Sequence, residues 1–203
     1  MPRKVDADER RRHVVEALFR VAVRDGLARA SLRTVADEAG LNIGSLRHYF
    51  ASQSDLMRFA MRAMLEQVGE RMRHGLADLA GQRGAPAAQR IRTAGKLLGE
   101  LLPLDDVRRA EVTVFLDFAA LARTRPDLHD LADEAARGSR TAVRRILAYV
   151  TGLSPRARAL DVETERLLSL LDGLGINAVL HPDLVTADDA VRVVDAHLRA
   201  LAR

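Results

Sequence analysis

The chain has 203 residues, of which 48% are apolar, enough to bury one large core or a small head and a larger body. Charged residues make up 30%, the net charge is +4, and no long run of like charges indicates a disordered tail. Cysteine is absent, which excludes disulfides, thiolate metal sites and a cysteine nucleophile. The apolar stretches are too short to span a bilayer and the N-terminus lacks the apolar core of a secretory signal. We therefore expect no membrane partner and a cytoplasmic location.

Helical periodicity dominates the sequence. Apolar residues recur every three or four positions, and sustained alternation of apolar and polar residues is missing. Glycine, proline and short polar clusters divide the chain into about nine segments, short before residue 55 and roughly fifteen to twenty-five residues long after it. We predict an all-α protein with a three-helix head over residues 1–54 and a helical body over residues 55–203.

The head contains the signals of two short helices joined by a tight turn. A first helix is predicted from about Asp8 to Asp25, with Gly26 as a left-handed stop. Ser31 can cap a second helix that ends at Gly40, and Asn42 can cap a third. Two short helices with a glycine-containing turn of about three residues are the signature of a helix-turn-helix.

The third helix, predicted over residues 43–50, has two distinct faces. Three side chains at i, i+3 and i+4 are expected to pack inward: Leu46, Tyr49 and Phe50. Four small or polar residues then face outward: Gly44, Ser45, Arg47 and His48. An arginine can fork onto a guanine edge or a phosphate, and a glycine allows close backbone approach, so double-stranded DNA is the expected partner. Helical proteins without DNA-binding activity also contain such helix pairs, and this alternative stays open on the pattern alone.

The run SLRTVADEAGLNIGSLRHYF over residues 31–50, preceded by ALF and DG and followed by SQSDL, resembles the DNA-binding domain of the tetracycline-repressor (TetR) family. The resemblance implies that the third helix reads operator DNA, together with the first turn of a fourth helix that Ser52 and Asp55 can cap. Carried over position by position, it selects eight DNA-binding residues: Thr34, Ile43, Gly44, Ser45, Arg47, His48, Tyr49 and Gln53. Arg47 stands where the family usually has tyrosine and Gln53 where it usually has lysine, so the operator sequence cannot be transferred.

In the body, residues 107–122 are apolar on nearly every side, which is typical of a buried helix. Asp117 interrupts this segment, and a carboxylate in such surroundings needs a partner. It is expected to form a structural ion pair or to be exposed; the alternative is that it lines an effector cavity. In that alternative the pocket residues are Met61, Met64, Phe115, Asp117 and Phe118, although each fits an ordinary core equally well.

The last two helices, predicted at about residues 160–180 and 187–202, have apolar stripes that are too wide for one neighbour. Pairing with a second copy would bury them in a four-helix interface, whose predicted residues are Leu167, Leu171, Leu174, Val194 and Leu198. The alternative is that both stripes close the core of the single chain. The region around residues 167–174 and 180–186 also resembles the betaine-regulator (BetI-like) subgroup.

The resemblance implies a homodimeric transcriptional repressor that a small-molecule effector releases from operator DNA. The alternatives are an activator and a ligand-independent helical interaction protein. The six histidines do not form a His-Glu-x-x-His or Glu-x-x-His motif, and no phosphate-binding glycine loop is present. We therefore expect no enzymatic activity, no cofactor and no metal site.

Overall fold

A computed structural model describes residues 7–82 and 84–202. Among these residues there are nine α-helices, three short 3₁₀ helices and no strand, which confirms the predicted all-α class. The helices are α1 (Ala7–Asp25), α2 (Leu32–Glu38), α3 (Ile43–Arg47), α4 (Gln53–Gly81), α5 (Ala87–Leu98), α6 (Asp106–Ala122), α7 (His129–Thr151), α8 (Ala159–Leu180) and α9 (Ala187–Leu201). Residues 1–6, on which part of the signal-sequence prediction rests, lie outside the described residues. In the described helices, no segment combines the length and the apolar character that a membrane span requires.

The chain folds into two compact units. The first contains the chain up to Met64 and the segment Thr113–Ala132, and the second contains Leu65–Val112 and the chain from Asp133 onward. Helices α4, α6 and α7 therefore each contribute residues to both units. The boundary proposed from the sequence, between residues 54 and 55, falls at the start of α4 and inside the first unit.

Buried aliphatic side chains hold the three N-terminal helices together. Helix α1 buries the predicted stripe: Val14, Ala17, Leu18, Val21 and Ala22. Helices α2 and α3 are too short to be stable by helix propensity and depend on packing. Helix α2 buries Val35 and Ala36, and α3 buries Leu46. Because each fully buried leucine or valine contributes about 1.5–3 kcal/mol, these few side chains fix α2 to α1 and α3 to α2.

Helix α6 differs from the prediction that it is buried all round. Val114, Phe118 and Ala122 are buried, whereas Val107 is 68% exposed. The buried positions are four residues apart and form one stripe, so α6 is an amphipathic helix with a single inward face. Val112, Phe115, Leu116 and Leu121 are half-buried beside this stripe, and the exposed apolar residues are Val107, Ala119 and Ala120. Periodicity alone does not distinguish such residues from core.

The second unit has a core built from the C-terminal part of α4 together with α5, α7, α8 and α9. This core buries Leu167, Leu171, Val194 and Leu198, and Leu174 packs half-buried against it. Four of the five residues predicted for the dimer interface are therefore buried inside the single chain. For these four, the alternative prediction holds, namely that the apolar stripes of α8 and α9 close the core of the chain itself. Helices α8 and α9 are apolar on more than one side, and the sequence did not indicate which side the chain itself would cover.

Candidate DNA-binding surface

Helix α1 ends in a turn that only glycine adopts without strain. Gly26 has φ +88° and ψ 147°, and its N–H donates to the Ala22 carbonyl at 2.9 Å. The positive φ agrees with the predicted stop, although the ψ value is extended rather than left-handed helical. A 3₁₀ turn, Leu27–Arg29, follows and leads to α2.

A reciprocal capping box begins α2. The Thr34 N–H donates to the Ser31 hydroxyl at 3.1 Å, and the Ser31 N–H donates to the Thr34 hydroxyl oxygen at 2.9 Å. The Thr34 hydroxyl also donates to the Arg29 carbonyl at 2.8 Å. Thr34, one of the predicted DNA-binding residues, therefore uses its hydroxyl in bonds within the protein, although the residue as a whole is exposed.

The turn between α2 and α3 is closed by two backbone bonds around Gly40, which has φ +63°. The Gly40 N–H donates to the Asp37 backbone carbonyl at 3.1 Å, and the Leu41 N–H donates to the Ala36 carbonyl at 2.9 Å. This pair of bonds defines a Schellman motif. Asn42 then caps α3, because its side-chain oxygen accepts the Ser45 N–H at 2.7 Å. The predicted caps and glycine positions of the helix-turn-helix are thus all present.

Helix α3 is held from behind by two buried side chains, Leu46 and Phe50. The Phe50 ring lies 5.4 Å, centroid to centroid, from the ring of Phe59 on α4. The helix ends at Arg47, earlier than predicted, and the N–H groups of Tyr49 and Phe50 both donate to the Leu46 carbonyl at 3.0 Å. This tightened ending leaves Tyr49 half-buried instead of fully inward.

The opposite side of α3 is open to solvent. Gly44, Arg47 and His48 are exposed, and Ile43, Ser45 and Gln53 are half-buried. Within residues 7–82 and 84–202, no carboxylate forms an ion pair with Arg47. Its guanidinium is therefore available to a phosphate or to a guanine edge, as the sequence predicted.

Two further arginines, not among the predicted DNA-binding residues, lie on either side of the Ser31 cap: Arg29 ends the 3₁₀ turn and Arg33 lies in the first turn of α2. Arg29 and Arg33 are exposed, and neither has an ion-pair partner in the described part of the chain. Arg20 and Arg24 differ from them, since both bind Glu38 at 2.8 Å and brace α1 against α2. These hydrogen bonds, first that of Arg20 and then that of Arg24, lower the pKa of Glu38. The position of Arg29 and Arg33 on either side of the Ser31 cap was the signal that could have identified them.

The first turn of α4 is anchored by polar contacts to the segment before and within α7. The Asp55 N–H donates to the Ser52 hydroxyl at 3.0 Å, which confirms the predicted cap. The Ser54 hydroxyl donates to the Asp127 carboxylate. Arg58 forms two hydrogen bonds of 2.6 Å with the two carboxylate oxygens of Asp130. The contacts of Ser54 and Arg58 join residues about seventy positions apart, so the local sequence gives no signal of them.

The residues suggested as an effector pocket all belong to the first compact unit. Met61, Met64 and Phe118 are buried, and the rings of Phe115 and Phe118 are 6.4 Å apart, centroid to centroid. Asp117 was predicted to form an ion pair or to be exposed, and it does neither among the described residues. Its carboxylate instead accepts a hydrogen bond from the Leu27 backbone N–H at 2.8 Å. A different feature, an open groove on the surface of this unit, is lined by Glu9, Arg10, Arg12, His13, Glu16 and Leu41.

A capped pair of short helices, the second anchored by apolar side chains and exposing an unpaired arginine, defines a helix-turn-helix DNA-binding protein. Residues 14–58 match the family described as bacterial regulatory proteins, tetR family, and residues 88–203 match the family described as BetI-type transcriptional repressor, C-terminal. The chain therefore belongs to the TetR family and is a transcriptional regulator with a BetI-type C-terminal region. Both resemblances seen in the sequence are confirmed.

Individual relatives agree with this assignment. The HTH-type transcriptional regulator PksA of Bacillus subtilis (strain 168) is 34% identical over 99% of this chain and 94% of its own length. A transcriptional regulator from Rhodococcus sp. Rha1 has a TM-score of 0.79 at 28% identity, covering 94% of this chain and 95% of its own. The multidrug binding protein EbrR, complexed with ethidium, has a TM-score of 0.61 at 27% identity, covering 95% and 99%. PksA and the Rhodococcus protein are named as transcriptional regulators, as the matched families are, which agrees with the expectation that the chain is not an enzyme.

Proposed function

We propose that the protein is a homodimeric repressor that binds operator DNA through α3 and is released by a small-molecule effector. Residues 1–54 form the DNA-binding domain in this proposal, and residues 55–203 bind the effector and dimerise. The observation that carries it is the orientation of α3, with Leu46 and Phe50 buried and Gly44, Arg47 and His48 exposed. An operator lies in the cytoplasm of a bacterium, so a repressor of this kind acts there.

The eight predicted DNA-binding residues differ in what they can contribute. Arg47 can bind a guanine edge with both guanidinium nitrogens, and Gly44 lets the α3 backbone approach the groove. Ser45, His48, Tyr49 and Gln53 carry donors for phosphate oxygens, whereas Thr34 and Ile43 offer apolar contact. Arg29 and Arg33 add two phosphate-binding cations at the start of α2. Affinity then comes mainly from the phosphate contacts and sequence preference from α3.

Repression with effector release is supported by the BetI-type repressor match over residues 88–203 and by the ethidium complex of EbrR. An effector can weaken DNA binding only if it binds one conformation of the protein more tightly than the other. The same coupling free energy must then weaken effector binding when operator DNA is present.

The proposed dimer interface uses the exposed sides of α8 and α9. These sides display apolar residues that the chain itself does not cover: Val162, Ile176, Leu180, Val191 and Val193. Val162, Ile176 and Leu180 share one face of α8, whereas Val191 and Val193 lie on different sides of α9. Two copies related by a twofold axis would bury the α8 face together with one side of α9 in a self-complementary interface. A dimer also explains how a single short recognition helix attains useful affinity, since two half-sites are bound at once.

Selection of bound sequences from random duplex DNA tests DNA binding and symmetry together. We expect an inverted repeat whose half-sites are about one helical turn apart, or a multiple of that spacing. Fluorescence anisotropy with the selected duplex should show an affinity that decreases steeply with salt. Failure of the purified chain to enrich any sequence, even at low salt, would reject the proposed function.

Sedimentation of the full chain tests the dimer separately. Ile176 on α8 is 40% exposed and Leu153 in the α7–α8 connection is 44% exposed, so they are matched in accessibility. We expect Ile176→Glu to shift the protein toward monomer and Leu153→Glu to leave it dimeric. A wild-type chain that sediments as a monomer at micromolar concentration would contradict the interface.

A further inference from the structure

A carboxylate on α6 holds the turn from which the helix-turn-helix starts. The Oδ2 atom of Asp117 accepts the Leu27 N–H at 2.8 Å, across 90 positions of sequence, and both residues belong to the first compact unit. Leu27 is fully buried, and its N–H is the first donor of the 3₁₀ turn, where a helix provides no acceptor of its own. Without the carboxylate this buried donor would lack a partner.

The turn that Asp117 holds is connected directly to α2. The Ser31 N–H donates to the Arg29 carbonyl at 2.8 Å, and the Thr34 hydroxyl donates to the same carbonyl at 2.8 Å. A displacement of residues 27–29 must therefore displace the capping box and the first turn of α2. The 3₁₀ turn carries the exposed Arg29, and the first turn of α2 carries the exposed Arg33. Helix α2 in turn packs against α3.

The chemistry of this contact differs from that of a surface ion pair. The described part of the chain offers Asp117 no cationic partner at ion-pair distance, and its acceptor is committed to a backbone amide. The carbon that a side chain would add to Gly26 lies 3.7 Å from the same oxygen, so the carboxylate rests directly on the glycine turn. The Leu27 N–H therefore requires an acceptor oxygen at this position more than it requires a negative charge.

We propose that Asp117 is a positioning residue for DNA binding, whose carboxylate holds the Leu27 amide and thereby sets the placement of α2 and α3 on DNA. The inference rests on the proposed DNA-binding function of these helices. When the acceptor is lost, the turn of the free protein shifts until water reaches the Leu27 amide. DNA binding requires α2 and α3 in their wild-type placement, so the shift must be reversed when DNA binds. The free energy needed to reverse it lowers the affinity for DNA.

Three substitutions at Asp117 separate positioning from general stability. Asp117→Leu removes the acceptor at similar size, Asp117→Asn keeps an acceptor oxygen in place without charge, and Asp117→Glu keeps the charge but moves the oxygen by one methylene. We expect Asp117→Leu and Asp117→Glu to bind the selected operator at least tenfold more weakly, and Asp117→Asn to stay within about threefold of wild type. Asp133→Leu makes the same substitution at an exposed carboxylate on α7 whose partner is Arg137, and this control should bind as wild type does.

The measurements are operator titration well below each variant's melting temperature and hydrogen exchange of the Leu27 amide. We expect this amide to exchange faster in the leucine and glutamate variants and at the wild-type rate in the asparagine variant. If Asp117→Leu does not fold, the glutamate and asparagine pair decides the outcome by the same criteria. Wild-type affinity in the leucine or glutamate variant, or equal losses in all three, would overturn the inference. A wild-type chain that binds no duplex would instead reject the proposed function.

Discussion

Arg47→Ala is the most direct perturbation of the proposed DNA-binding surface. Arg47 is exposed at the last position of α3, and no described carboxylate forms an ion pair with it. Removing its side chain therefore eliminates no ion pair or side-chain hydrogen bond within residues 7–82 and 84–202. We expect the free energy of unfolding to change by less than about 0.5 kcal/mol, as for other surface substitutions.

The expected loss of affinity follows from the geometry of the guanidinium. A bidentate contact with a guanine contributes about 1–3 kcal/mol of discrimination, which is roughly a 5- to 150-fold change in the dissociation constant. In a dimer both half-sites lose the contact, so the combined effect on the full operator approaches twice that free energy. If Arg47 binds only a phosphate, the loss is similar for every sequence and the salt dependence of binding becomes shallower.

The assay is an anisotropy titration with the selected operator and with a duplex in which the contacted guanine is replaced. Arg145→Ala is the matched control, because Arg145 is exposed on α7 and forms no ion pair among the described residues. Base-specific binding predicts that Arg47→Ala reduces affinity for the operator and abolishes the preference between the two duplexes. Equal affinity of Arg47→Ala and wild type for both duplexes would refute the assignment of α3 as the recognition helix.

Three other substitutions test how the head is built. Asn42→Ala removes the acceptor of the Ser45 N–H and is expected to lower the free energy of unfolding in urea by about 0.5–2 kcal/mol, whereas Asn42→Asp keeps an acceptor and should not. Gly26→Ala forces a side chain into φ +88° and is expected to destabilise by about 1–3 kcal/mol, while Gly138→Ala, in open space on α7, should stabilise by about 0.5–1 kcal/mol. The Arg58 hydrogen bonds lower the pKa of Asp130 from 3.8 to about 2. Because the folded-state pKa lies below the unfolded value, this contribution is complete above about pH 4 and is lost as the pH falls toward 2, so Arg58→Met should flatten the pH dependence of the urea midpoint in that window.

The features of the head that could be predicted from sequence are those set by neighbouring residues. Ser31, Asn42 and Ser52 cap the helices that follow them, since each oxygen reaches an amide three residues on. The positive φ of Gly26 and Gly40 follows from the absence of a side chain at a helix end. Local hydrogen bonding of this kind leaves a direct signal in the order of residues.

Contacts between distant positions left no such signal. Asp117 stood out as a carboxylate in an apolar helix, but nothing in its surroundings identified a backbone amide 90 positions away as its partner. The Arg58 pair with Asp130 spans 72 positions and was missed for the same reason. On α8 and α9, apolar residues on several sides made the inward face ambiguous, so residues such as Leu167 were assigned to the wrong environment. Periodicity gives the face of a helix only when one side is clearly polar.

The groups that stabilise the head are separate from those that we propose to face DNA. Leu46 and Phe50 anchor α3 from behind, the Asn42 side chain satisfies its first turn, and the Asp117 carboxylate holds the turn before α2. None of these groups lies on the outward side of α3. Because Arg47 is exposed and these groups stabilise the helices from the other side, we expect substitutions at position 47 to cost little folding stability. We therefore expect that substitutions on the exposed side of α3 can change the operator sequence that the protein binds, provided that the groups that stabilise α2 and α3 are kept.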